Sequence, residues 1–113
     1  MARYYLLLRE NPKVFAGLSP SDFQAIVERY TKWRRKNSRS VKGGQKLRDG
    51  EGRVLRGQAG AMRIADGPFA EAKEVMGGFF VVEARSYDAA VKIAKTCPHL
   101  EFGSLEIRAV ERT

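Results

Sequence analysis

A chain of 113 residues, 43% hydrophobic and 30% charged, has the size and mix of one globular domain, too short for a second core and too apolar for a disordered chain. No apolar run approaches the roughly 20 residues that span a bilayer, and the run at 4–8 is too short for a secretion signal, so the expected location is the cytoplasm. The formal net charge of +8 invites a nucleic-acid reading, but no zinc-finger spacing, ribonucleoprotein aromatics or helix-turn-helix pair accompanies it, so nucleic acid is not an expected partner.

Residues 3–9 read as a buried first strand, an apolar run of Tyr and Leu closed by the turn signal Asn11-Pro12. A helix over 19–36 follows. Ser19 is its N-cap, Pro20 suits the first helical position, and Asp22 takes the third as an acidic variant of the capping box. Phe23, Ile26, Val27, Tyr30 and Trp33 recur at helical spacing and form one stripe that covers a sheet, so these residues are expected in the core. Lys32, Arg34, Arg35, Lys36, Arg39 and Lys42 place six cations in eleven residues. There they complement the helix dipole and stay solvated.

From 40 to 65 the chain is glycine-rich and reads as a hairpin, with a tight turn at Asp49-Gly50 and short strands over 53–56 and 61–64. Neither the Walker pattern nor the dinucleotide fingerprint is present, so these glycines are not read as a phosphate cradle. Residues 77–85 form the best strand candidate, apolar enough to be buried on both faces. Ser86 caps a second helix with Tyr87, Ala90, Val91, Ala94 and Cys97 on one stripe, ended by Pro98. A last strand covers 105–110. Cys97, the only cysteine, excludes an intramolecular disulfide and is read as a packing residue.

The order is strand, helix, strand or hairpin, strand, helix, strand, which predicts a single α+β domain over 1–113: a ferredoxin-like antiparallel sheet with two helices on one face. The other face lacks a cover. A second copy is the simplest one, so a homodimer is expected.

The most distinctive segment is Asp66-Gly67-Pro68-Phe69-Ala70-Glu71, followed by Gly77-Gly78-Phe79. With the strand at 4–8, Gly43-Gly44, Cys97-Pro98-His99 and Leu105-Glu106-Ile107-Arg108, it resembles the YciI-like family, in the branch marked by Asp-Gly-Pro-Phe. The resemblance implies a dimeric α/β barrel, a fold used by small monooxygenases, isomerases, a dehydrochlorinase and ligand-sensing domains. It also implies a histidine and aspartate pair in a cleft. The aspartate matches Asp66. The family's histidine near the start of the first helix has no counterpart, leaving His99 to fill that role.

A positioned imidazole gives and takes protons near neutrality, and a carboxylate within reach fixes its tautomer or acts as the base. The expected function is a cofactor-free proton transfer, of isomerase or lyase type, on a small molecule. Asp66 and His99 are the catalytic residues, and Gly67, Pro68 and Phe69 line the substrate. No metal site is expected, since one histidine with scattered carboxylates lacks ligand spacing. The alternative is a noncatalytic ligand-binding or regulatory module, with an extracytoplasmic-function sigma factor as the partner that the resemblance implies. In that alternative Asp66 is a turn former that caps local backbone amides.

Overall fold

The computed structural model describes residues 1–68 and 72–112. In chain order the elements are β1 (Ala2–Glu10), α1 (Pro20–Lys36), β2 (Val41–Lys46), β3 (Arg53–Arg56), β4 (Arg63–Asp66), β5 (Val75–Ala84), α2 (Tyr87–Ala94), a 3-10 turn (Pro98–Glu101) and β6 (Gly103–Ala109). Four strands form one antiparallel sheet in the order β2-β5-β1-β6, while β3 and β4 pair only with each other. Without that hairpin the order is the ferredoxin-like one, so the expected fold class is the observed one.

Both helices start where local chemistry places them. Ser19 and Ser86 each accept a backbone N–H three residues on, from Asp22 and Ala89, both at 3.1 Å, which satisfies donors that a helix start leaves without partners.

The strands of the sheet alternate, as half-covered strands must. Tyr4, Leu6 and Leu8 of β1 and Phe80, Val82 and Ala84 of β5 point to the helices and pack with Trp33, Ala90, Ala94 and Cys97 in one core. The Trp33 ring meets Phe80 at 5.0 Å between centroids, and its indole N–H donates to Thr96 Oγ1 at 2.9 Å, tying α1 to the end of α2. The opposite face carries Tyr5 stacked on Phe79 at 5.4 Å, with Leu7 and Val81 only half-buried beside them.

Three expectations need correction. The glycine-rich stretch holds a further strand, β2, which carries Gly43 and Gly44 along the edge of β5. The second hairpin strand lies two residues later than expected and ends on Asp66. Weak strand propensity hid β2; pairing to the long β5 supplies what its own residues do not. β5 is also not buried on both faces of one chain: Phe79 and Val81 stay half-buried.

Candidate functional site

The stripe Phe23, Ile26, Val27, Tyr30 and Arg34 of α1 faces the part of the sheet where β2 and β5 present glycines. A Cβ on Gly44 would lie 2.5 Å from the Phe80 ring, and one on Gly77 only 2.1 Å from a Glu10 carboxyl oxygen. Missing side chains leave a hollow where the sequence pattern implies continuous core. It is a cavity of about 240 Å³ whose lining includes that stripe with Phe15, Phe80, Glu10, Lys46 and His99. Of the five residues expected in the core, Trp33 alone is fully buried. The other four look into the cavity.

The floor of the cavity is polar. Glu10 continues the inward alternation of Tyr4, Leu6 and Leu8 at the end of β1, and its side chain is 4% exposed. Among the described residues no hydrogen bond reaches its carboxyl, and His99 Nε2 lies 3.9 Å from Oε1. Desolvation by burial pushes the Glu10 carboxyl above its usual range, with Lys46 opposing the shift and Asp49 adding to it.

His99 sits in the 3-10 turn after α2, 1% exposed. Its Nε2 lies 3.0 Å from the carbonyl oxygen of Arg9, which can only accept, so Nε2 carries the proton. The neutral ring then accepts at Nδ1 from the Tyr30 hydroxyl, 2.9 Å away. Burial favours this neutral form and lowers the His99 pKa, against the Arg9 carbonyl and the Glu74 charge, which raise it. Burial likewise holds the Tyr30 phenol well above its ordinary value. Glu10, His99 and Tyr30 are thus three titratable groups at one apolar site, each with burial opposing its charged form, an arrangement suited to general acid-base chemistry.

Two cations stand at the rim. Lys46 Nζ is paired with Asp49 Oδ1 at 3.0 Å and lies 5.6 Å from the Phe15 ring centroid. Arg34 is half-buried with its guanidinium 5.7 Å from the Phe80 ring centroid, so one residue of the basic run turns to the cavity while Lys32, Arg35 and Lys36 face solvent.

His99 therefore lies in the cavity lining and Asp66 does not. The Asp66 side chain is 93% exposed at the end of β4, 3.4 Å from Arg53 Nη1. Gly67 and Pro68 line a second hollow of about 220 Å³ between the hairpin and β5, which shares Gly77 with the first. Phe69 lies outside the described residues. Cys97 is buried, and desolvation pushes its thiol up to about 11, the state of an inert packing residue.

Sequence reasoning missed Glu10 and Tyr30. The signal for Glu10 was the period of two in β1, which puts a carboxyl on the inward row if the strand runs one residue further. Among the described residues no three His, Cys, Asp or Glu side chains converge as a metal site, and no helix is long and apolar enough to cross a membrane.

An antiparallel sheet with two helices on one face and a polar-floored cavity beneath the first defines a ferredoxin-like α+β domain with a small-molecule-sized site. The chain belongs to the YCII-related domain family, whose pattern it matches over residues 2–113. It is also similar to the uncharacterized protein R00369 of Rhizobium meliloti (strain 1021), 39% identical over 57 residues. The match covers 49% of this chain and 46% of that relative, so the chain spans about half of the relative's length.

Proposed function

We propose that this protein binds a small molecule in the cavity under α1 and moves a proton on it without a cofactor. Glu10 is the group that gives or takes the proton, and Tyr30, whose hydroxyl proton is held by His99, presents its oxygen as a hydrogen-bond acceptor beside it. One observation carries this reading: a carboxyl whose side chain is 4% exposed lines the cavity beside the His99–Tyr30 pair. Burial disfavours its charged form, which suits a group that exchanges a proton with a bound molecule. His99 acts through Tyr30 because both its ring nitrogens are already bonded within the protein.

The alternative assignment has Asp66 as base and His99 as donor, with Gly67, Pro68 and Phe69 against the substrate. Placement in the Asp-Gly-Pro-Phe branch supports it, and that placement rests on residues 66–71 with Gly77-Gly78. The two assignments part in a thermal-shift screen of a metabolite library against wild type, Glu10→Gln and Asp66→Asn. The Glu10 reading expects stabilising compounds to lose their effect in Glu10→Gln and keep it in Asp66→Asn; the reverse pattern overturns it.

The proposal includes a homodimer through the open sheet face. Tyr5, Leu7, Phe79 and Val81 form its apolar centre, and Arg3–Glu83 and Arg9–Glu106 pairs, at 3.4 and 3.1 Å, form its rim. An apolar centre with a polar rim is the anatomy of a subunit interface.

A further inference from the structure

The charge arrangement around the cavity narrows what it can take. Resting on the reading that the cavity is the ligand site, we infer that its ligand is a planar, aromatic or conjugated, carboxylic acid whose carboxylate pairs with Arg34 at the rim while its other end reaches Glu10. Three independent features converge on this class.

The first is Arg34 itself. The other cation that lines the cavity has an acid, Lys46 pairing with Asp49. Arg34 has no ion pair among the described residues, and its guanidinium lies against the Phe80 ring. A half-buried guanidinium held over an aromatic face presents its donor fork to a carboxylate in plane, the geometry that Arg serves better than Lys.

The second is the wall. Phe15, Phe23, Tyr30 and Phe80 all line the cavity, and Tyr30 lies within 6.5 Å of Phe80 between centroids with planes 27° apart. Near-parallel rings on one wall favour a flat ligand that stacks.

The third is polarity along the cavity. Burial opposes charge on the floor groups while Arg34 and Lys46 stand at the rim, so an anion is favoured at the rim. One carboxylate matches that gradient; a dianion would bring its second charge against the desolvated Glu10. A volume of about 240 Å³ suits one substituted ring.

The test is ligand-observed NMR and fluorescence titration of the full chain with benzoate, salicylate and 4-hydroxybenzoate, and with benzamide and benzyl alcohol as neutral counterparts. Wild type is expected to prefer the acids, and Arg34→Gln to weaken them roughly 10- to 100-fold, the value of a charge-assisted pair, with neutral compounds unaffected. Arg35→Gln, a solvent-facing neighbour on the same helix, removes equal charge and is expected to change binding less than about 3-fold, by the screening of exposed charges. Equal binding of benzamide and benzoate, or equal losses in Arg34→Gln and Arg35→Gln, overturns the anion inference and leaves the cavity reading standing. If no aromatic compound, charged or neutral, binds, the inference fails, and the metabolite screen against Glu10→Gln shows whether the cavity reading fails with it.

Discussion

Gly77→Ala isolates the link between backbone and site. A Cβ at residue 77 would lie 2.1 Å from Glu10 Oε1, 2.4 Å from its Cδ and 2.8 Å from Oε2; its three nearest neighbours are one carboxyl group. Gly77 does not have a positive φ, so alanine carries no backbone strain there. In open space the change would stabilise by about 0.4–1 kcal/mol, through the unfolded chain. Against Glu10 it must displace a side chain that is 4% exposed, and overpacking of this kind costs about 1–3 kcal/mol. The sign therefore depends on Glu10: Gly77→Ala is expected to destabilise wild type and to stabilise a Glu10→Ala background. Urea unfolding of the four proteins gives the coupling, which is expected to be at least about 1.5 kcal/mol. A coupling below about 0.5 kcal/mol, or a Gly77→Ala variant as stable in wild type as in Glu10→Ala, would refute the placement of the carboxyl against residue 77.

Other consequences follow from the same geometry. Tyr30→Phe deletes the hydroxyl that donates to His99 Nδ1 at 2.9 Å and leaves a buried acceptor bare; a loss of about 1–3 kcal/mol in denaturant unfolding is expected, and a loss under 0.5 kcal/mol contradicts the bond. Glu10 has a raised pKa, so its contribution to stability is complete below the unfolded value of 4.5 and is lost as pH rises through its folded value. Glu10→Gln should accordingly gain on wild type as pH rises from 4.5, and a pH-independent difference counts against it. His99 has the opposite sign: lowered from 6.5, it supports the fold above that pH and loses its contribution as pH falls through its folded value, a slope expected to vanish in His99→Gln. At the open face, Tyr5→Glu removes the stacked partner of Phe79 and is expected to convert the dimer to monomer in sedimentation velocity; an unchanged mass rules out this face as the interface.

How much was legible in the sequence follows physical strength. Ser19-Pro20 and Ser86 announced both helix starts, since a cap is a local interaction between residues three apart. The apolar runs of β1 and β5 announced the sheet for the same reason, their period being local. β2 was missed because Val41–Lys46 carries two glycines and two lysines and is a strand only through its partner. The cavity was missed for a related reason. A helical stripe of Phe23, Ile26, Val27 and Tyr30 looks the same whether it meets side chains or glycines, and what it meets is fixed by Gly44, Gly77 and Gly78, on strands distant in sequence. His99 was found by residue type, being the sole histidine, while its partners Tyr30 and Arg9 lie 69 and 90 residues away. Asp66 drew attention through its motif, and in the single chain it is a solvent-facing strand end on Arg53.

The account rests on a desolvated carboxyl at the cavity floor, and carbon-13 NMR titration of the side-chain carboxyls reads it directly. With Glu10 assigned through Glu10→Gln, its midpoint is expected above the ordinary glutamate value of 4.5. A Glu10 resonance that titrates at or below 4.5, unmoved by Tyr30→Phe, would contradict the account.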